Sequence, residues 1–331
     1  MPKFAFFVCS NGGYLPFLNP LLNSLAKHNC HIDTYLLHYD FPKKYIEDAV
    51  SKMPYPVIPL EINREDFDIA DYNKDNNNLF IKQARFKYIR EYGVRYDAIC
   101  MLDADMFVTT PNFMNFFDLV NGTRKLIACN ERFKWSLDKR FRFKGEPIFE
   151  KTVKAHKFHC SVPLIFDMKE WIEVFDTYND MAFNAFETDD TGEIKKPVGD
   201  IYCWNISVYK NNRQNDVILF PMETMTQVHH TYAHPWTELK KDNGTWITYA
   251  GDEVFSIHGR IGNKSWYEGQ IRGALKRYRA HNIKDSDEAI EKKVGGILRK
   301  VQKEWHHLNF KETLDLYDYL PVNKYWDTFS N

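Results

Sequence analysis

The sequence predicts an α/β fold built on a mainly parallel sheet flanked by helices. Three observations carry that expectation. Short apolar runs of strand length alternate with segments of helical periodicity through the first hundred residues. Polar and glycine-containing breaks follow the strands, the first being Asn11-Gly12-Gly13. The chain is also long enough, at 331 residues with 44% hydrophobic side chains, to bury a sizeable core.

Taken in order, Lys3 to Ser10 reads as a buried strand, residues 16–28 as a helix and His31 to His38 as a second strand. Lys43 to Met53 follows as a helix and Val57 to Ile62 as a third strand. Asn76 to Tyr92 is a strong helix, with Leu79, Ile81, Ala84, Tyr88 and Ile89 spaced for one face, and Asp97 to Met101 is a fourth buried strand. Between 124 and 210 the pattern is less regular. It holds a strand at Ser161–Asp167, an amphipathic helix from Lys169 to Tyr178 and a polar turn at 188–196. From about residue 268 up to about Asp318 the chain turns helical and charged, which predicts a main domain over 1–268 and a helical C-terminal appendage over 269–331.

Composition narrows the function. With 44 Lys+Arg against 45 Asp+Glu, the net charge of −1 excludes a uniformly basic nucleic-acid binder. The apolar run at Phe4 to Cys9 is far shorter than the ~20 residues of a membrane span and too short for a secretory leader. The six cysteines have no C-x-x-C spacing, so neither a zinc ribbon nor a redox motif is indicated. A cytoplasmic protein with reduced thiols is the expectation. There is no G-x-G-x-x-G and no P-loop sequence. The aromatic content of 16% fits either a Phe-rich core or a site lined for sugar-like ligands.

In open α/β sheets, ligands bind beyond the carboxyl ends of the strands. Ser10-Asn11 lies at one such end and Asp103-Ala104-Asp105 at another. Two acids one residue apart at a strand end can converge on a hard divalent cation once the backbone kinks. They stand where apolar residues should continue, and a cation removes the cost of burying unpaired carboxylates. Capping or turn aspartates are the alternative. A second segment, Val254 to Trp266, ends a strand pattern at His258. Gly259 and Gly262 then permit a tight loop that can approach phosphate, with Lys264 as a point charge. Read alone, His258 also fits an ordinary core or surface histidine.

The Asp103-Ala104-Asp105 segment resembles the D-x-D motif of GT-A-fold glycosyltransferases, whose Rossmann-like sheet matches the alternation above. The segment from His258 resembles the H-x-x-G-x-x-K-P-W motif of the glycogenin-like and galactosyltransferase-like family. His258, Lys264 and Trp266 fall at matching spacing, Gly262 stands one place late and Ser265 replaces the proline. Ser161 to Trp171 and Val198-Gly199-Asp200-Ile201 resemble later segments of that family. The resemblance covers about residues 3–268.

The resemblance implies a metal-dependent transfer of a sugar from a nucleotide-sugar, UDP-linked, to an acceptor hydroxyl. Asp103, Asp105 and His258 would hold Mn2+ (or Mg2+), and the mixed carboxylate and imidazole set suits Mn2+ better. Ser10, Asn11, Arg85, Ala104, Gly262 and Lys264 would contact the donor, although Arg85 reads equally as a solvated helix residue. Asp200 would be the catalytic or sugar-orienting acid, with retention of configuration favoured over inversion. A surface turn is the other reading of Asp200.

Acceptor residues are sought in the part from about 124 to 240. Between 124 and 157 there are eleven basic and four acidic residues, interleaved with Phe133, Trp135, Phe141, Phe143 and Phe149. Such a stretch is either a solvated face or a surface for an anionic acceptor, nucleic acid or glycan. Trp135 and Arg140 are its candidates. His230 and Trp236, in the His- and aromatic-rich segment VHHTYAHPW, are the others, with a structural loop as the alternative. A sugar nucleotidyltransferase lacks its glycine-rich signature here. A non-catalytic nucleic-acid or glycan binder remains the reading from a different class.

Overall fold

The computed structural model describes residues 2–73, 77–130, 135–221, 224–227, 240–242, 245–247 and 252–258. In chain order the elements are β1 (Phe4–Asn11), α1 (Leu15–Lys27), β2 (Asp33–Tyr39), α2 (Lys43–Lys52), β3 (Val57–Glu61), α3 (Asn77–Gly93), β4 (Ala98–Asp103), β5 (Met106–Val108), α4 (Asn115–Val120) and β6 (Leu126–Asn130). Short strands β7 (Trp135–Leu137), β8 (Phe141–Phe143), β9 (Glu146–Pro147) and β10 (Val153–Ala155) lead to the long β11 (His159–Phe166). Then come α5 (Ile172–Met181), β12 (Ala185–Thr188), β13 (Ile194–Pro197), α6 (Asp200–Lys210), β14 (Val217–Phe220), β15 (Met225–Gln227), the hairpin β16 (Lys240–Asp242) and β17 (Thr245–Ile247), and β18 (Ser256–His258). The helical appendage expected over 269–331 lies outside the described residues.

The main sheet has the order β14-β6-β11-β4-β1-β2-β3. Every strand but β11 runs the same way. β1, β2, β3 and β4 pair in parallel, β14 is parallel to β6, and β11 alone is antiparallel to both its neighbours. Continuous burial along the central strands explains their apolar runs: Ala5 to Val8 and Ala98 to Leu102 are at most 1% exposed. The chain winds from β1 out to β3, then returns to the other side of β1 as β4. The β1/β4 boundary is therefore a topological switch point.

Helix α3 differs from the single-faced helix its spacing predicts. It lies between the sheet and the pair α5 and α6, so Phe80, Gln83, Arg85 and Phe86 are buried along with Ile81, Ala84 and Ile89. Its buried amide is fully used. Gln83 Nε2 donates to the carbonyls of Ala182 and Val198, and its Oε1 accepts from Asn73. The aromatic content goes largely into this layer, where Trp204 of α6 packs against Phe86, Phe175 and Trp171.

Buried beside Trp204 is His159, 0% exposed. The indole N–H donates to its Nε2 at 2.8 Å, so the proton sits on Nδ1 and is donated to the Lys157 carbonyl at 2.9 Å. Burial pushes this imidazole down to about 4, against the Lys157 carbonyl bond that favours the charged form. Below its ordinary value near 6.5 the unfolded chain takes up a proton that the folded chain refuses. Stability should therefore fall as pH drops from about 6.5 to 4, by on the order of 3 kcal/mol from this residue. Burial likewise lowers half-buried His28 to about 4. Urea unfolding at pH 7 and pH 4.5 checks this. His159→Gln should remove its own share, with the share of His28 remaining, and an unchanged pH slope in that variant would refute it.

Candidate active site

The site stands at the carboxyl ends of β1 and β4. Register pairs Cys9 with Asp103, which sets Ser10 and Asn11 directly beyond the first acid. Ser10 is buried and its hydroxyl donates to the Asn11 carbonyl at 3.2 Å. Gly12 follows because the chain turns against Asp40: its N–H donates to Asp40 Oδ1 at 2.7 Å, and a Cβ there would stand 3.0 Å from the Asp40 carbonyl oxygen.

Asp103 is the last residue of β4. Ala104 and Asp105 make a turn, and β5 starts at Met106. The turn swings the second carboxylate round to face the first. β18 then pairs antiparallel with β5, with His258 opposite Met106. One side-chain bond helps to lock this pairing, since Thr109 Oγ1 donates to the Val254 carbonyl. His258 Nε2 comes to lie 3.2 Å from Asp105 Oδ1 and 3.6 Å from Asp103 Oδ2. Asp103, Asp105 and His258 each offer a ligand atom, all within 4.8 Å of one another.

Asp103 divides its two oxygens. Oδ1 accepts from Arg85 Nη1 at 2.5 Å, while Oδ2 faces His258. Nη2 of the same guanidinium donates to Asp200 Oδ2 at 3.2 Å. Arg85 is 1% exposed and far from solvated. It ties the end of β4 to the first turn of α6, where Asp200 is the first helical residue. Burial works against the Asp103 charge, but Arg85, Lys82 and His258 outweigh it and hold the carboxyl at about 2. Burial also opposes charge on His258, and Asp105 and Asp103 together raise its pKa.

Lys82 is a site residue that the sequence reading missed. It stands one turn before Arg85 on α3, exposed to solvent, and the charges of Asp200, Asp103 and Asp105 raise its pKa. The signal was the i, i+3 spacing to Arg85, which puts both cations on one helix face. Three carboxylates thus meet two permanent cations. That imbalance, with a carboxylate and imidazole ligand set, fits a divalent cation held by Asp103, Asp105 and His258.

No family model matches the sequence, and no curated protein matches it. Solved structures do. An active-site mutant of LgtC aligns over 89% of this chain and 96% of its own, at 14% identity and a TM-score of 0.53. The galactosyltransferase LgtC in complex with donor and acceptor sugar analogues aligns over 88% of this chain and all of its own, at 12% identity and a TM-score of 0.50. The chain has a GT-A-type fold. The bifunctional glycosyltransferase WbbM aligns with 88% of the chain, at 14% identity and a TM-score of 0.49, and the chain spans about half of its length, 52%.

Within the GT-A-type fold, Asp103, Asp105, His258, Arg85, Asp200, Ser10, Asn11 and buried Ala104 gather at one end of the sheet. Other expected residues stand apart or are not described. Arg140 is exposed on the rim of the small sheet and paired with Asp138 at 3.0 Å and Glu187 at 3.5 Å. The backbone of Trp135 belongs to β7. Gly262, Lys264, His230 and Trp236 lie outside the described residues. Among the described residues, no helix is long and apolar enough to cross a membrane.

Proposed function

We propose that this protein is a metal-dependent glycosyltransferase that moves a sugar from a UDP-linked donor to an acceptor hydroxyl. The observation that carries the reading is the convergence of Asp103, Asp105 and His258 at the switch point of a GT-A-type sheet. A nucleotide-sugar presents its diphosphate where these three residues would hold Mn2+ in preference to Mg2+. Bound there, the cation neutralises the diphosphate and stabilises charge on the departing nucleoside diphosphate.

The chain's own residues do the rest. Lys82 faces the same charge from α3. Asp200, fixed by Arg85, orients the donor sugar, consistent with retention. Ser10 and Asn11 flank the nucleoside, and Gly262 and Lys264 serve the donor phosphates. The acceptor is an anionic glycan or nucleic acid, met by Trp135, His230 and Trp236, while Arg140 is taken up by Asp138 and Glu187. All six cysteines are buried and free, which supports a reducing, cytoplasmic setting.

Thermal unfolding with a panel of nucleoside diphosphates, each with Mn2+ and with EDTA, tests the donor site. UDP with Mn2+ at about 100 times its Kd should raise the midpoint by about 5 °C or more, and EDTA should abolish the shift. No shift with any nucleotide would favour the non-catalytic binder. A shift with a nucleoside triphosphate alone would favour nucleotidyl transfer. Lys82→Met should lower kcat/KM about tenfold with little change in stability, because the lysine is exposed. An unchanged kcat/KM would remove Lys82 from the site.

A further inference from the structure

The basic stretch between 124 and 157 divides into two parts. Arg124 pairs with Asp216 at 3.6 Å, Arg140 with Asp138 and Glu187, and Lys144 with Asp180 at 3.6 Å. These are the charges of a solvated face. Lys154, His156 and Lys157 are arranged differently. With Phe149, Val153, Tyr209, Gln214 and two asparagines, they line a concave pocket of about 460 Å3, and among the described residues no carboxylate lines it. That volume falls in the roughly 300–1,000 Å3 range of small-molecule sites.

The pocket wall is built. The Lys157 N–H donates to the Tyr209 hydroxyl at 3.2 Å, and Lys157 Nζ donates to the Val217 carbonyl at 2.9 Å. The Lys157 carbonyl is anchored to buried His159. An ammonium has three protons, so Lys157 keeps two for a ligand. Gln214 Oε1 is buried and finds no donor among the described residues.

These features set the ligand's chemistry. Three basic groups with no acid among them select an anion. Asn212, Gln214 and Asn215 add amide side chains to the lining, which suit hydroxyl groups that a bare anion does not bring. The rings of Phe149 and Tyr209 offer flat apolar faces for the C–H side of a sugar. A single nucleic-acid strand tracks an extended groove instead of entering a pocket. We propose that this pocket binds an anionic saccharide. The sugar's hydroxyls meet the amide side chains of the lining, and a phosphate, sulfate or carboxylate on the sugar meets Lys154, His156 and Lys157. The pocket lies at the far end of α6 from Asp200. The nine steps from Asp200 to Tyr209 span about 14 Å along the axis. It is a site apart from the metal-ligand cluster and does not depend on the transferase reading.

Calorimetric titration of the full chain with glucose 6-phosphate, glucosamine 6-sulfate, glucuronic acid, glucose, inorganic phosphate and a uridine dodecanucleotide tests it, with and without EDTA. At least one anionic sugar should bind ten times more tightly than either glucose or inorganic phosphate, and its anionic group names the source. Lys154→Glu and Gln214→Leu should each weaken that binding tenfold or more. Asp105→Asn and EDTA should leave it unchanged. Inorganic phosphate binding as tightly as the best sugar would overturn the saccharide assignment, and tighter binding of the dodecanucleotide would replace it with nucleic acid. Loss in Asp105→Asn would place the ligand at the acidic cluster instead, and no binding of any anionic sugar would end the proposal. Lys154 is exposed, so Lys154→Glu decides the matter alone should Gln214→Leu not fold.

Discussion

Asp105→Asn should reduce transfer by about 10²–10³-fold while leaving the fold intact. The substitution keeps the side chain's shape and removes one of the charges that face His258 at 3.2 Å. Metal-assisted stabilisation of a leaving group is worth several kcal/mol, and each 1.36 kcal/mol is tenfold in rate. The same variant should lose the Mn2+-dependent thermal shift with UDP. Circular dichroism and the ligand-free midpoint should match the parent, because Asp105 is solvent-facing in part and does not bond Arg85. A variant that still transfers sugar at the parent rate would remove Asp105 from the chemistry.

Arg85→Met should produce a large loss of stability. A single guanidinium, 1% exposed, compensates Asp103 and Asp200 at once. Removing one partner of a buried ion pair costs about 3–5 kcal/mol, because the remaining charge stays buried and uncompensated. For a domain of this size that is about 10 °C in the unfolding midpoint. Mn2+ should raise the variant's midpoint more than the parent's, since a divalent cation replaces part of the missing charge. A midpoint within 2 °C of the parent would mean that the two carboxylates are solvated well enough without Arg85.

The strands β1, β2 and β4 were legible because they are covered on both faces, and continuous apolar runs such as Ala5 to Val8 record that burial directly, whereas the edge strand β3 is half-exposed. The direction of β11 was not legible. An apolar run looks the same whichever way it lies, and only its pairing with β4 and β6 shows that it opposes them. Asp103, Asp105 and His258 were legible as types in order, since a carboxylate pair at a strand end violates the apolar pattern around it. Arg85 was ambiguous because a helix is read by one apolar face, whereas α3 is packed on several. Its ion pair with Asp200 spans 115 positions, and no local pattern encodes a contact of that separation. The pocket beside α6 was invisible for the same reason, since Lys154 and Gln214 meet only after β10, β11 and α6 are in place.

The pairing of β18 with β5 brings together residues about 150 positions apart in the chain. Closing so long a loop is slow relative to forming the local units around it. A polypeptide emerging from the ribosome therefore carries its two aspartates well before the third ligand is synthesised. Competence to hold a cation arrives near the end of the described chain, after the seven-stranded sheet has every strand it needs. Until then the acidic strand end cannot form the three-residue cluster, which delays capture of stray metal by the nascent chain.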